Sequence, residues 1–510
     1  MRKDTTNVGA RLCASTDTDT SNLPELPTGW VWTRLGEMID KIPLTGRKLK
    51  QSEYQEEGKF PVIDQGQAFI GGHTDREELK VCCERPLIIF GDHTKIVKYV
   101  DFDFVAGADG VKVIKPLEAF YPKLFYYFIQ MVPLPDKGYA RHFQFVEKSA
   151  IPLPPLAEQQ RIVAKIEELF TELDAGVEAL QKVKAQLKRY RQAVLKHAFE
   201  GKLTEAWREM HRGELEPASV LLERMRDKRA KNINVGAHSR APRARAPRPY
   251  TMDASSLPQL PEGWVWTTLG NIASFKNGIN FDKTQKGNNG ILTIDVLNMY
   301  SHDIRVNLKG LYRVNRKPEK DYLLENGDIL FVRSSVKREG VGWAALFKEI
   351  EEPVTFCGFI IRSRLHSEDL LPEYITYFLR TNFARELIVN SGSQVTITNI
   401  SQPSLGRIPI PIPPLAEQHK IVEEIERRFS IADEVEKVVE QSLKQAERLR
   451  QSILKKAFGG KLVPQDANDD PADKLLERIK QARMNPVGAA VGAHSRAPKS
   501  RAPKTTRMKR

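Results

Sequence analysis

Six polar stretches of this 510-residue sequence carry side chains suited to recognising nucleic acid. They read TGRKLKQSE from Thr45, GDHTKIVK from Gly91, GYARHFQF from Gly138, FKNGINFDKTQKGNNG from Phe275, VRSSVKRE from Val332 and GSQVTITNISQ from Gly392. Arginine, lysine, asparagine, glutamine and serine are the residues that read base edges and phosphates. An ordinary solvated loop is the alternative for any single residue, so the prediction depends on the set.

The predicted DNA-contacting residues are the basic, amide and hydroxyl side chains of these stretches. They are Arg47, Lys48, Lys50, His93, Lys95, Arg141, His142, Gln144, Lys276, Asn277, Asn280, Lys283, Arg333, Ser334, Ser335, Lys337, Arg338, Gln394, Thr396 and Asn399.

A search for catalytic motifs finds none that is complete. The GK dipeptides lack the leading glycine and the hydroxyl residue of a phosphate-binding loop. GVGWAA from Gly340 fits a dinucleotide-binding string but lacks the strand–helix–strand context and the later acidic residue. The histidines do not pair at metal-ligand spacing, and the four cysteines form no C-x-x-C pair. The sequence therefore predicts neither catalytic nor metal-binding residues.

The net charge of +14 does not by itself predict a basic folded surface. Residues 228–249 carry seven Lys/Arg and residues 480–510 carry nine, with no acidic residue in either segment. Both include the string VGAHSRAP and predict disordered, solvated sequence, with a nonspecific phosphate-binding arm as the alternative. No apolar run approaches the roughly 20 residues of a membrane-spanning helix, and the N-terminus lacks the apolar core of a secretory signal. We expect a cytoplasmic protein.

Four phrases occur twice and indicate the elements that position the polar loops. WVWTRLG from Trp30 returns as WVWTTLG, IPLPPLAEQQRIV as IPIPPLAEQHKIV, VLKHAFEGKL as ILKKAFGGKL, and PASVLLERM as PADKLLERI. The chain therefore contains one unit, about 23–231, followed by a second, about 257–485. Between the tryptophan phrase and the PPLAEQ phrase the two copies differ in wording and length, which predicts a shared α/β fold with different surfaces.

Apolar residues every seven positions predict a long helix in each copy, with the two helices paired as a coiled coil. Packing of each helix on its own globular domain is the alternative. The predicted seam consists of Ile166, Leu169, Leu173, Leu180, Val183, Leu187, Tyr190, Val194, Ile425, Val435, Val439, Leu449 and Ile453.

The shared phrases resemble the specificity subunit of type I restriction–modification systems. The resemblance covers nearly the whole chain except the two VGAHSRAP segments. It implies an α/β (α+β) fold with an internal pseudo-repeat, in which two globular target-recognition domains are separated by two long conserved helices that form an antiparallel coiled coil.

The resulting division of the chain has nine segments. These are an N-terminal tail (1–22), target-recognition domain 1 (23–155), the first conserved helix (156–200), the tail of repeat 1 (201–231), a basic linker (232–256), target-recognition domain 2 (257–414), the second conserved helix (415–459), the tail of repeat 2 (460–485) and a basic C-terminal tail (486–510).

The resemblance also implies function. Each recognition domain would read one half of a split double-stranded DNA sequence, and the helices would dock two modification (methyltransferase) and two restriction (motor-nuclease) subunits. This chain would be non-catalytic and bind no cofactor, with S-adenosylmethionine, ATP and Mg²⁺ on the partner subunits. Two alternatives remain: a sequence-independent coiled-coil scaffold on DNA, and an autonomous DNA methyltransferase or nuclease.

Overall fold

The computed structural model describes residues 23–135, 141–235, 257–301, 303–335, 338–390 and 398–484. The described chain forms two compact units. The first contains the residues up to Ala179 and those from Ser442 onward, and the second contains Leu180–Gln441. The predicted N-terminal tail, the C-terminal tail from residue 486 and most of the basic linker lie outside the described residues.

The first domain lies in the first unit and is built from short antiparallel and mixed sheets. Its strands are β1 (Val31–Arg34), β2 (Ile39–Ile42), β3 (Lys48–Leu49), β4 (Phe60–Ile63), β5 (Gly72–Thr74), β6 (Lys80–Val81), β7 (Leu87–Gly91), β8 (Val97–Val100), β9 (Phe104–Gly107), β10 (Val111–Pro116) and β11 (Ala150–Leu153). Strands β2, β10, β7 and β8 form one sheet in that order, β3, β9, β4 and β5 form another with β6 paired to β9, and β1 pairs with β11. Helices α1 (Pro122–Met131) and α2 (Phe143–Lys148) precede β11.

A helix of 44 residues, α3 (Leu156–Phe199), follows the first domain. It begins after a proline pair and ends before Gly201, whose φ of 71° is the left-handed conformation of a helix C-terminal cap. A Cβ on Gly201 would lie 2.3 Å from Pro261 Cγ, so close packing also requires glycine here. Two shorter helices, α4 (Glu205–Met210) and α5 (Ala218–Val235), complete the tail of the first repeat.

The second domain repeats the plan of the first within the second unit. The order β13-β21-β17-β19 reproduces β2-β10-β7-β8, and the pair β12-β23 reproduces β1-β11. The strands are β12 (Val265–Thr268), β13 (Ala273–Asn277), β14 (Lys286–Gly287), β15 (Ile291–Ile294), β16 (Tyr312–Val314), β17 (Ile329–Val332), β18 (Ser334–Ser335), β19 (Ala344–Leu346), β20 (Val354–Phe356), β21 (Ile360–Leu365), β22 (Thr398–Asn399) and β23 (Pro409–Ile412). The helices are α6 (Leu269–Ile272), α7 (Pro372–Leu379), α8 (Asn382–Asn390) and α9 (Gln402–Gly406).

The second long helix, α10 (Leu415–Phe458), also has 44 residues, and α11 (Ala472–Met484) follows it. The two long helices are antiparallel. In the second unit Lys184 pairs with Glu440 at 2.7 Å, and seven residues further along α3 Arg191 pairs with Asp433, seven residues back along α10, at 2.6 Å. The predicted fold class, with its internal repeat and its pair of long helices, is confirmed.

Most of the predicted seam residues are buried or half-buried. Ile166, Val194, Ile425, Val439 and Ile453 are buried, whereas Leu169, Leu173, Leu180, Val183 and Leu187 are half-buried.

Three seam predictions are wrong. Tyr190, Val435 and Leu449 are 40%, 40% and 49% exposed. Because an α-helix has 3.6 residues per turn, a strict seven-residue spacing drifts around its surface. At these places the less exposed position is the following residue: Arg191, Glu436 or Arg450. The seam therefore contains an ion pair in the second unit, between Arg191 Nη1 and Glu436 Oε2 at 2.8 Å.

Each unit combines residues of both repeats, so the two repeats follow one another along the chain but contribute to both compact units. The tail of the first repeat packs in the second unit, where Ala218 N donates to Gly263 O at 3.0 Å. The tail of the second repeat packs in the first unit, where Ala472 N donates to Gly29 O at 2.9 Å. An aromatic contact shows the same exchange, since Phe458 of the second repeat packs against Phe128 of the first repeat in the first unit.

This exchange predicts that a chain divided within the basic linker remains assembled. Co-expressed fragments 1–245 and 246–510 are expected to copurify through a tag on either one, because each unit needs residues from both fragments. Size-exclusion chromatography of the purified material checks the prediction. Elution of the two fragments as separate species would contradict it.

Within the described residues, no helix is long and apolar enough to cross a membrane.

Candidate nucleic-acid interface

The repeated tryptophan phrase and the repeated PPLAEQ phrase bind each other in both units. Trp30 Nε1 donates to Glu158 Oε2 at 2.8 Å, and Trp264 Nε1 donates to Glu417 Oε2 at 2.8 Å. Both carboxylates are buried. The two phrases recur together because each supplies the other's hydrogen-bond partner, which fixes the start of each domain against its long helix.

The glutamine of each PPLAEQ phrase holds a second element of the same domain. Gln159 Oε1 accepts from Tyr121 N at 2.7 Å, directly before α1, and Gln418 Oε1 accepts from Leu371 N at 2.9 Å, directly before α7. The first backbone N–H groups of a helix lack partners within the helix. Each long helix therefore orients α1 or α7 of its domain, and the polar loops are carried on a scaffold that is the same in both units.

The two buried glutamates differ in their remaining partners. Glu417 Oε1 accepts from Thr204 Oγ1 at 2.7 Å and forms an ion pair with Arg208 Nη1 at 2.6 Å. Glu158 Oε1 accepts a 3.4 Å hydrogen bond from Gln465 Nε2, so its two hydrogen-bond donors, Trp30 and Gln465, are both neutral. Burial raises the pKa of the Glu158 carboxyl above its usual range.

The first domain has an open cleft of about 560 Å³, which we call the first cleft. It lies where β2 ends, beside β10 and the first residue of α2. Its lining residues are Lys41, Ile42, Pro43, Leu44, Thr45, Gly46, Lys48, Val111, Lys112, Val113 and Phe143. Lys41 Nζ lies 5.5 Å from the centroid of the Phe143 ring. Lys41 forms an ion pair with Glu147, and Lys112 Nζ lies 3.8 Å from Asp92 Oδ2, so Lys48 is the lysine of this lining best suited to contact phosphate.

The second domain has an open cleft of about 680 Å³, which we call the second cleft. It lies where β13 ends, beside the first residues of α9. Its lining residues are Asn277, Arg333, Asn399, Ile400, Ser401, Gln402, Pro403 and Ser404. Gln402 Nε2 donates to Asn277 Oδ1 at 3.0 Å. Amide, hydroxyl and guanidinium groups in one cleft suit contacts to base edges.

The two clefts occupy equivalent positions in the repeated fold. Strands β2 and β13 are the first strands of the matching sheets, and α2 and α9 are the short helices before the matching strands β11 and β23. Phe143 and Gln402 are the first residues of those helices. The scaffold is thus shared, whereas the linings are lysine-rich in the first cleft and amide-rich in the second.

Five of the predicted contact residues in the first domain lie at or near its surface. Lys48 is half-buried and lines the first cleft. Arg47 and Lys50 flank it in sequence and are exposed. Arg141 and Gln144 are exposed at the start of α2, where Gln144 Nε2 donates to the Arg141 carbonyl at 3.2 Å.

Two predicted contacts in the first domain, His142 and Lys95, have structural partners, and a third, His93, is half-buried. His142 is buried, and its Nδ1 lies 3.0 Å from the Asp92 carbonyl oxygen, so it is corrected from a predicted base contact to a residue that holds α2. Lys95 donates from Nζ to the Pro135 carbonyl at 3.2 Å.

The structure brings together predicted residues from three separate stretches of the second domain. Asn277, Arg333 and Asn399 all line the second cleft. Ser334 and Ser335 form β18, which pairs with β22, and the Ser334 hydroxyl hydrogen-bonds to Asn399. This convergence could not be read from the sequence, since the stretches lie up to 122 positions apart in the numbering.

The other predicted residues of the second domain lie elsewhere. Lys276 forms an ion pair with Asp321 and lies 4.0 Å from the centroid of the Tyr322 ring; its hydrogen bond holds the pKa of the Asp321 carboxyl below the usual range. Asn280 and Lys283 are exposed. Lys337, Gln394 and Thr396 lie outside the described residues, and only the backbone of Arg338 is described.

Lys41, Lys112 and Gln402 also line the clefts but are absent from the predicted set. Lys112 belongs to β10, where it alternates with buried valines, and this period-2 pattern was the available signal. Gln402 ends the quoted stretch GSQVTITNISQ but was left out of the predicted set. Lys41 had no distinguishing signal, because only the fold places the end of β2 beside α2.

Comparison with known proteins agrees with this architecture. The family model described as "Type I restriction modification DNA specificity domain" matches residues 27–188 and 261–445. The chain is 31% identical over 344 residues to the type I restriction enzyme StySPI specificity subunit of Salmonella potsdam, covering 65% of this chain and 64% of that protein. It is 24% identical over 481 residues to the EcoDI specificity subunit of Escherichia coli, covering 90% of this chain and 96% of that one.

A solved structure also shares the fold. A chain described under "Structural basis underlying complex assembly and conformational transition of the type I R-M system" superposes with a TM-score of 0.54 at 20% identity, covering 86% of this chain and 100% of that chain. The matched region spans just under two thirds of the StySPI relative, and the family model covers both repeats. The chain belongs to the type I restriction–modification DNA specificity family.

Proposed function

We propose that this chain is the sequence-reading subunit of a type I restriction–modification assembly and that it binds a bipartite target in double-stranded DNA. The first cleft contacts one half of the target and the second cleft contacts the other half. The paired helices dock two modification subunits and two restriction subunits. The assembly acts on DNA in the cytoplasm.

The observation that carries this proposal is the equivalence of the two clefts. If both domains bound the same ligand, the two clefts would be expected to have similar lining residues. Here the repeated segments preserve the scaffold, whereas the residues that line the two clefts differ. Two surfaces of equal placement and different chemistry suit a target with two different halves. Lysine and arginine supply salt-dependent attraction to phosphates, and amide and hydroxyl groups supply discrimination between base pairs.

An exposed apolar row on α10 supports partner docking. Ile431, Val435 and Val438 are 57%, 40% and 57% exposed and share one helix face at a spacing of four and three residues. Large apolar side chains grouped on an exposed face favour contact with another protein. We assign this row to the modification subunits.

The chemistry of the assembly is assigned to its partners. S-adenosylmethionine belongs to the modification subunits, and ATP and Mg²⁺ belong to the restriction subunits, so this chain supplies target choice alone. The described residues contain no group of three histidine, cysteine or acidic residues placed to hold a metal ion.

Methylation mapping tests the proposal. The chain would be expressed with its partner subunits in a host that lacks other methyltransferases, and modified adenines would be sequenced. We expect one split motif with an unspecified spacer. Duplexes with either half scrambled should then bind the purified assembly more weakly by about 1–3 kcal/mol per changed base pair.

The same experiment distinguishes the two alternatives. Equal binding of the mapped and scrambled duplexes at moderate salt would favour a sequence-independent scaffold. Methylation or cleavage of DNA by the purified chain without partners would favour an autonomous enzyme. A sequence-independent scaffold does not account for the different linings of two equivalent clefts.

Lys48 provides a direct test of the first cleft. Lys48→Gln is expected to weaken binding to all duplexes alike and to lower the slope of log affinity against log salt by about one, because one phosphate contact is lost. Lys59→Gln is the matched control, since Lys59 is an exposed lysine of the same domain that pairs with Glu77 at 2.9 Å and lines neither cleft. An unchanged salt slope in Lys48→Gln would contradict a phosphate contact there.

A further inference from the structure

The second cleft contains two amide side chains that hold each other in one orientation. Gln402 Nε2 donates to Asn277 Oδ1 at 3.0 Å. The two residues come from the end of β13 and the start of α9, 125 positions apart. Asn277 is exposed and Gln402 is half-buried, so the pair lies at the open side of the cleft.

This hydrogen bond leaves a defined set of free donors and acceptors. A carboxamide has two N–H donors and one oxygen that can accept two hydrogen bonds. The contact uses one N–H of Gln402 and one lone pair of Asn277. Gln402 Oε1 remains as an acceptor, and Asn277 Nδ2 remains as a donor. Rotating either amide by half a turn would place two nitrogens or two oxygens together, so the contact fixes their order.

Other polar groups of the cleft are engaged within the protein. The Ser401 and Ser404 hydroxyls lie 2.9 Å apart and hydrogen-bond to each other. Asn399 Oδ1 accepts a hydrogen bond from the Ser334 hydroxyl. Arg333 Nη1 lies 3.4 Å from the Gly358 carbonyl oxygen, and its charge is suited to attracting a phosphate. The two amides are therefore the groups of the cleft best placed for a base edge.

A neighbouring acceptor and donor match one base of the major groove. Adenine presents the N7 acceptor beside the N6 donor, whereas guanine presents two acceptors, cytosine a donor, and thymine an acceptor beside a methyl group. Asparagine and glutamine bind adenine in this two-point manner.

We propose that Asn277 and Gln402 form a single reader of one adenine in the major groove, with Asn277 Nδ2 donating to N7 and Gln402 Oε1 accepting from N6. This proposal rests on the proposed function and adds which base the second cleft selects. The half-site contacted by the second domain therefore contains an A·T pair whose recognition depends on both amides together.

Substitution at Gln402 tests the proposal in the full assembly. The wild-type chain and each variant would be expressed with the partner subunits, and the target would be determined by methylation mapping and by selection from random duplexes. Gln402→Ala is expected to lower discrimination at one A·T pair by about 10- to 100-fold. Gln402→Glu is expected to shift that position toward cytosine, because a carboxylate accepts from the cytosine N4 amino group.

Asn277→Ala should relax the same base pair as Gln402→Ala, and the double variant should relax it no further. Asn315→Asp is the control, since Asn315 is an exposed amide of the same domain that lines neither cleft. If the wild-type assembly selects no sequence, the proposed function itself is wrong. If it selects a split target but the variants leave every position unchanged, or change different positions, the amide reader is wrong and the proposed function stands.

Discussion

Replacing Glu417 with glutamine is expected to destabilise the second unit by about 3–5 kcal/mol. Glu417 is fully buried and forms an ion pair with Arg208, whose side chain is 15% exposed. Breaking one side of a buried ion pair leaves the other charge without compensation. The substitution also removes the carboxylate that Thr204 and Trp264 share. Chemical denaturation followed by hydrogen exchange of peptides from each unit measures the loss.

Glu158→Gln is the matched variant at the same place in the other repeat, and it should change stability by less than about 1 kcal/mol. Trp30 and Gln465 are neutral partners, so no buried cation is left behind. Burial raises the pKa of Glu158 in the folded protein, which means that the unfolded chain loses this proton first as pH rises. Ionisation of Glu158 therefore lowers the free energy of unfolding of the first unit. This loss is fully present above the pKa of Glu158 in the folded protein and disappears as pH falls below its unfolded value of about 4.3.

Glu158→Gln should therefore remove this pH-dependent penalty, and the first unit should lose no stability at neutral pH. Equal destabilisation by Glu158→Gln and Glu417→Gln would contradict the difference in their partners.

The second large effect is expected from a chain with two copies of the first domain. Leu269–Ile408 would be replaced by Leu35–Ser149, with β12, β23 and all helices outside the exchange retained. The new domain should dock, because the contacts that receive it recur in both repeats: Phe128 lies 4.9 Å from Phe458 between ring centroids, and Phe378 lies 5.2 Å from Phe199. Methylation mapping is expected to show two half-sites of the same sequence.

The reciprocal chain is the control for this exchange. When Leu269–Ile408 replaces Leu35–Ser149, both half-sites of the target should have the sequence that the second domain recognises. A stable assembly that kept the original target in either chain would show that residues outside the two domains choose the bases. A target changed in both halves by one exchange would contradict independent reading.

The duplicated fold could be predicted because the residues that form its main contacts lie in sequence segments that occur in both repeats. Trp30 and Glu158 are each other's partners, as are Trp264 and Glu417, so phrases that recur together predict surfaces that recur together. The seam prediction rests on apolar residues spaced every seven positions. It is wrong at Tyr190, which is exposed because a fixed period of seven departs from 3.6 residues per turn.

The assignment of each tail to a unit could not be predicted from the same phrases. The AFxGKL and PAxxLLER segments are nearly identical in both repeats, so their wording does not say which tryptophan phrase they contact. The direction of pairing decides the matter, since the ion pairs between α3 and α10 in the second unit run antiparallel. Antiparallel pairing then brings the end of α3 beside the start of α10, and both pack in the core of the second domain.

Only some of the residues that line the clefts could be predicted from the sequence. Residue type alone pointed to Lys48, Asn277, Arg333 and Asn399, and the structure places all four in the lining of the two clefts. Type alone could not separate them from Lys276, which is engaged by Asp321. It also could not find Gln402, whose proposed contact with a base depends on one hydrogen bond to Asn277, 125 residues earlier.

The exchange of tails between units sets the order in which the chain can be completed during synthesis. The second unit is one continuous segment, Leu180–Gln441, whereas the first requires Ala472 to reach the carbonyl of Gly29. At roughly 5–20 residues per second, about 300 residues after Ala179 take on the order of 15–60 s to translate. During that interval Phe128 and the surface around it lack the Phe458 ring that covers them in the finished protein. The first domain to leave the ribosome is thus the last to be completed, and the apolar surface that it exposes in the meantime is of the kind that promotes aggregation during synthesis.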